Sequence, residues 1–169
     1  DRDLRLLLGL FGQSWSTDKS GPIWQAEVDR TGRHWGFNAQ LIGIAPGFET
    51  EAGFVNRTDF ITARFFNRFS WYGSRGRLVE QFSVFLAPRR LWEYEQRYGD
   101  GGPIEGSDRV SAAMRLRGNW NLSAALTRSF FWFDQATYEG LVVGSATGPG
   151  FAPAQKADDL FGGSVTITT

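Results

Sequence analysis

Hydrophobic and polar residues alternate along most of this chain. Between Ile61 and Tyr72 the odd positions are Ile61, Ala63, Phe65, Asn67, Phe69 and Trp71, and the even positions are Thr62, Arg64, Phe66, Arg68, Ser70 and Tyr72. One set is apolar apart from Asn67 and the other carries two Arg, so a period of two fits where a helical period does not. The same rhythm puts Leu4, Leu6, Leu8 and Leu10 on one side of an opening strand. It sets Trp24, Ala26 and Val28 against Gln25, Glu27 and Asp29, and Trp35, Phe37, Ala39 and Leu41 against Gly36, Asn38, Gln40 and Ile42. Phe82, Val84 and Leu86 oppose Gln81, Ser83 and Phe85, and past Pro88 the residues Trp92 and Tyr94 oppose Glu93, Glu95 and Arg97. Val110, Ala112, Met114 and Leu116 alternate with Arg109, Ser111, Ala113, Arg115 and Arg117. Leu122, Ala124, Leu126, Phe130 and Trp132 alternate with Asn121, Ser123, Ala125, Thr127 and Ser129. An eighth strand is expected from Ser164 to Thr169. Pro88 has no N–H for a ladder, so a bulge or the end of sheet burial is expected there.

These runs exceed the usual strand of about 5 to 6 residues and suit a tilted membrane crossing of about 9 to 11. The connections sort by length. Thr31-Gly32-Arg33, Gly73-Ser74-Arg75-Gly76 and Gly118-Asn119 read as tight turns, whereas 45–56, 98–107 and 134–163 read as long loops. Short turns at one end and long loops at the other is the layout of transmembrane barrels. Aromatic residues follow the same division. Trp35, Trp71, Tyr72 and Trp120 lie beside the tight turns, while Trp92, Tyr94, Trp132 and Phe133 lie toward the long loops. Two aromatic bands around an apolar middle suit the two interfaces of a bilayer.

Periodicity does not say which way the apolar face points. A soluble barrel with an apolar cavity gives the same alternation. Strand length, loop sorting and the aromatic bands favour a membrane barrel. On that reading Glu27, Asp29, Arg64, Arg68, Glu93, Arg115 and Arg117 line the lumen. The Arg group reads either as a positive constriction for anionic solutes or as pairing with Glu27, Asp29, Glu80 or Glu93 to fill the interior, and the pairing is the expectation.

Composition narrows the remaining classes. With 18 Lys and Arg against 18 Asp and Glu the net charge is zero, so no general excess of positive charge holds the chain on nucleic acid. An apolar fraction of 41% is too high for a disordered chain. There is no Cys, hence no disulfide, thiolate metal site or thiol nucleophile. One His, His34, removes most zinc sites and most His-based catalysis. No apolar run approaches the roughly 18 to 20 residues of a spanning helix. Asp1 is not followed by a secretory leader pattern, which suggests a mature form or a piece of a longer chain.

No catalytic constellation stands out. His34 reads as an exposed turn residue, and no Ser lies in a nucleophile-elbow pattern. The Gly-rich segments Gly99 to Pro103 and Gly144 to Gly150 lack the Lys of a phosphate loop. Asp100, Glu105 and Asp108 do not have calcium-loop spacing. Neither a metal nor a cofactor is expected.

The stretch Gly53-Phe54-Val55-Asn56-Arg57-Thr58-Asp59-Phe60 resembles the lead-in to a barrel strand in the domain-of-unknown-function 5916 family. Members usually join a domain similar to carbohydrate-binding family 9 to an outer-membrane barrel. The resemblance extends in general rhythm from about Leu4 to Phe133, rests chiefly on that motif, and implies a link to carbohydrate handling. Within it, an Arg57–Asp59 salt bridge is expected at the corner into the strand. The carbohydrate-binding domain is missing here, and the chain ends in Thr166-Ile167-Thr168-Thr169 rather than a terminal aromatic. Both departures suggest a portion of a larger barrel completed by other strands or chains.

Together these features predict an all-β chain with one domain over residues 1–169. The fold expected is an antiparallel transmembrane β-barrel, or part of one, with at least about eight strands. The function expected is a non-enzymatic pore, transporter or surface anchor in a bacterial outer membrane, partnered by the lipid bilayer and not by nucleic acid. The alternative is a soluble β-barrel that binds an apolar small molecule.

Overall fold

The computed structural model describes residues 2–15, 20–48, 57–95, 101–132 and 156–169. They form one eight-stranded sheet in sequence order, every neighbouring pair antiparallel. The strands are β1 (Arg2–Trp15), β2 (Ser20–Gly32), β3 (Trp35–Ile44), β4 (Phe60–Tyr72), β5 (Val79–Glu93), β6 (Glu105–Leu116), β7 (Asn121–Trp132) and β8 (Lys156–Thr168). The described residues contain no helix. The sheet is not closed: β1 pairs only with β2, and β8 only with β7.

Register carries the alternation of the sequence across the whole sheet. Leu6 faces Val28, Val28 faces Ala39, and Ala39 faces Phe65. Further along, Leu86 faces Val110 and Val110 faces Leu126. Cross-strand partners share a face, so these residues line one apolar surface. The opposite surface receives Glu27, Asp29, Asn38, Gln40, Arg64 and Arg68 from β2 to β4. Exposure differs between the two. On the apolar face Leu126 is 72% exposed and Val165 77%, whereas Thr62, Ser70 and Ser83 on the polar face are each 2% exposed.

Several boundaries depart from the sequence reading. β6 begins at Glu105, so the loop before it is shorter than 98–107, and β8 begins at Lys156 rather than Ser164. Both segments open with polar residues that register pairs across strands, a signal alternation does not carry. The turn after β2 is Arg33-His34, because Thr31 and Gly32, expected in the turn, still belong to β2. The connection after β1 is 16–19, which lies at the long-loop end although it is short, so the sorting of loops is not strict. Pro88 neither ends β5 nor shifts its register. Arg64 pairs with Arg89 and Asn67 with Leu86, and the two partnerships have the same offset, so the chain skips ladder bonds there without inserting a residue.

Ser70 and Ser83 are cross-strand partners with their Oγ atoms 2.8 Å apart, and Gln81 Nε2 donates to Ser83 Oγ at 3.2 Å. A buried hydroxyl stripped of its partner costs about 1–3 kcal/mol. Ser83→Ala is therefore expected to destabilise more than Ser70→Ala, because Ser83 retains Gln81 when Ser70 is removed. The double variant is expected to cost less than the sum. Denaturation midpoints of the three variants check this, and simple additivity would contradict it.

Candidate functional site

The polar face is the part of the molecule where chemistry-bearing groups converge. Alternation along each strand delivers them, and antiparallel register sets them in rows. One row runs Glu27, Gln40, Arg64, Arg89, Ser107 across β2 to β6. Six of the seven expected lumen residues share this face, namely Glu27, Asp29, Arg64, Arg68, Glu93 and Arg115. Arg117 lies beyond the end of β6 in the exposed turn, where its N–H donates to Leu78 O at 2.8 Å.

The expected pairing of Arg with acid is largely absent among the described residues. Glu27 accepts from Gln25 at 2.8 Å, Asn38 at 2.6 Å and Gln40 at 3.4 Å. Asp29 accepts from Thr31 at 3.2 Å and Asn38 at 3.3 Å. The cause is strand order. β3 stands between the acids of β2 and the Arg residues of β4, which separates them by two strand spacings, about 9.6 Å. The amides of β3 satisfy the carboxylates instead. Arg68 reaches past Gly36 and donates from Nη2 to Gly32 O at 2.6 Å, which fastens the tight turn. A side chain at position 36 would crowd that path, since its Cβ would lie 3.4 Å from Arg68 Nη2. Only Arg115 makes an expected contact, 3.4 Å to Glu80. The side chains of Arg64 and Glu93 make no hydrogen bond or ion pair with any described residue.

Arg57 and Asp59 do not pair with each other. Arg57 pairs with Glu105. Asp59 has a left-handed backbone (φ 59°) and turns its carboxylate to accept the Tyr94 N–H at 3.3 Å. The short acidic side chain tolerates that backbone and caps the strand locally, which points it away from Arg57. Gly53, Phe54 and Val55 lie outside the described residues.

The aromatic residues divide by face. At the tight-turn end Trp35, Phe69, Trp71 and Phe82 form a continuous run on the apolar face, with successive ring centroids 6.3, 6.4 and 5.7 Å apart. Arg30 lies over the Trp35 ring at 4.1 Å, and Trp35 Nε1 donates to Asn67 Oδ1 at 2.8 Å. That bond accounts for the one polar residue among the apolar positions of β4. Tyr72 is not part of this band. It occupies the polar phase of β4, where it meets the His34 ring edge-on at 5.5 Å and donates to Arg33 O at 3.3 Å. His34 Nδ1 lies 3.0 Å from Ser70 O, so the ring is engaged with the turn. Trp120 is exposed in the turn before β7.

At the long-loop end Trp92 and Trp132 take the apolar phase of β5 and β7. Tyr94, just past β5, accepts from Trp24 Nε1 at 3.1 Å. Alternation did not disclose the ladder of charges beside them. Arg90 pairs with Asp108 at 2.9 Å and Arg128 with Asp159 at 2.6 Å, all four in the apolar phase. Asp108 and Arg128 are also direct cross-strand partners. The ladder crosses the apolar face just inside Ile61, Trp92 and Trp132.

No three acidic or His side chains cluster as a metal site among the described residues. No protein-family model, curated protein or solved structure matches this chain. Geometry alone carries the functional reading.

Proposed function

We propose that this chain forms wall of an antiparallel transmembrane β-barrel in a bacterial outer membrane, acting as a non-enzymatic pore, transporter or surface anchor. One observation carries the reading. The single sheet has an extended apolar face that no second layer of the described residues covers, framed by aromatic rings at one end and by a charge ladder at the other. Folded domains ordinarily bury such a face against another layer. A bilayer supplies the missing layer, and the frame corresponds to its two interfaces. From the Phe82 row to the Arg90 row the strand rises about 26 Å, or about 20 Å at a 40° tilt, against roughly 25 Å for the apolar band of such barrels.

The two open edges belong to the same proposal. Unpaired strand edges are not tolerated in the hydrocarbon region, so β1 and β8 meet each other, further strands or another chain in the complete wall. The link to carbohydrate handling rests on the resemblance of the Gly53–Phe60 motif and on nothing in the geometry. The soluble alternative requires the apolar face to turn inward. The most enclosed polar side chains, Thr62, Ser70 and Ser83, lie on the other face, which favours the membrane arrangement.

Partitioning between buffer and detergent micelles tests the proposal, followed by gel migration with and without heating. Detergent dependence with a compact, heat-sensitive band is expected. A monodisperse species in plain buffer would overturn it.

A further inference from the structure

The Arg residues of the polar face separate into two kinds. Arg68 and Arg115 are bound to Gly32 O and Glu80. Arg64 and Arg89 are direct cross-strand partners, so two guanidinium side chains rise side by side from β4 and β5. Like charges in that position repel each other, and a sheet holds them only at a cost to its stability. Among the described residues a single carboxylate reaches the pair, and it is shared with Arg57. Arg64 is exposed, and its guanidinium makes no hydrogen bond or ion pair with any described residue. Arg89 has one acid near it, Glu105 at 3.9 Å, and that carboxylate is already held by Arg57. Arg89 Nε is buried without an acceptor among the described residues. Arg109, two residues along from the Ser107 that faces Arg89, adds a third exposed guanidinium on the same face, about 7–8 Å away diagonally.

The flanks of the pair are neutral hydrogen-bonding groups, Gln40 beside Arg64 and Ser107 beside Arg89. Each guanidinium presents a planar fork of five donors that matches the oxygens of a phosphate or carboxylate. Two adjacent forks with few acceptors between them are complementary to an oxyanion carrying more than one negative charge. We propose that Arg64 and Arg89, supported by Arg109, bind a phosphate-type dianion on the polar face. The proposal deepens the barrel reading, in which this face lines the interior, by naming the class of solute or head group met there.

The test uses the full chain in whichever medium keeps it monodisperse, so its result does not depend on the membrane reading. Inorganic phosphate is titrated at constant ionic strength, with nitrate as the monoanion control, and followed by calorimetry. Saturable binding of phosphate is expected, at least tenfold tighter than nitrate. It should weaken tenfold or more in Arg64→Gln and in Arg89→Gln and stay within twofold in Arg115→Gln, whose guanidinium is paired elsewhere. Thermal midpoints give a second readout. Phosphate should raise the wild-type midpoint and leave that of Arg64→Gln unmoved, while Arg64→Gln without phosphate should melt higher than wild type because the repulsion is gone. Non-saturable binding, or equal affinity in wild type and both Gln variants, would overturn the proposal. Binding by a chain that proved soluble in plain buffer would uphold the site and sink the barrel. A phosphorylated sugar and an anionic lipid micelle, titrated in turn, separate a free solute from a head group as the source of the dianion.

Discussion

Leu126→Arg is expected to destabilise the folded chain by about 2–4 kcal/mol in a bilayer or in detergent micelles. Leu126 stands midway along β7, with Val110 opposite it on β6 and Leu86 beyond on β5, between the aromatic run and the charge ladder. Its side chain is 72% exposed, so no packed neighbour is displaced by a longer residue. In water such a surface substitution changes stability by about 0.5 kcal/mol or less. The same change at the centre of a bilayer strips hydration from a cation. The size of the effect therefore reports what covers the apolar face. Ser123→Arg, three residues earlier on the polar face, where it is exposed and opposite the neutral Ala113, serves as the control and is expected to be nearly neutral. Unfolding by denaturant from lipid vesicles measures both, and equal small effects at the two positions would contradict the membrane arrangement.

Gly43→Ala is expected to cost about 1–3 kcal/mol, the range for overpacking a filled site. A Cβ at position 43 would lie 2.3 Å from Trp24 Cε2 and 2.5 Å from its Nε1. The indole closes over the glycine from the neighbouring strand, since Trp24 and Gly43 are cross-strand partners. To admit a methyl group it must swing away, and its hydrogen bond to the Tyr94 hydroxyl goes with it. The Tyr94 N–H in turn donates to Asp59, so the contact helps hold the ends of β2, β3, β4 and β5 together. Gly106 is covered in the same way by Phe130, with a Cβ at 2.3 Å from the ring. Gly102→Ala is the control, because no described residue lies within 4 Å of a Cβ there. Chemical denaturation of Gly43→Ala, Gly106→Ala and Gly102→Ala distinguishes the positions. A Gly43→Ala protein as stable as Gly102→Ala would show that the Trp24 contact is dispensable.

The two positions also show what the sequence discloses and what it withholds. Leu126 is legible because sheet geometry enforces a period of two, and a residue's phase alone assigns its face. Gly43 is not, because its role depends on which residue lies opposite, and that is fixed by register. The same distinction explains the polar side. Phase placed Arg64, Arg68 and Arg115 on one face with Glu27, Asp29 and Glu93. Only strand order reveals that β3 separates Glu27 from Arg64 and that Arg89 stands beside Arg64. Arg89 and Arg90 are adjacent in sequence, so one falls in each phase, and Pro88 obscures the rhythm just before them. Asp159 and Gly163 likewise hide the apolar phase of β8, although Phe161 and Val165 carry it.

The orientation of the apolar face is the central claim, and the absence of Cys makes it directly measurable. Single Cys residues introduced in turn at positions 124 to 128 of β7, each carrying a nitroxide, report collision with oxygen in lipid and with a water-soluble nickel chelate. A period of two is expected, with oxygen access highest at Ala124 and Leu126 and chelate access highest at Ala125 and Thr127. The opposite phase, or chelate access to Leu126, would contradict it.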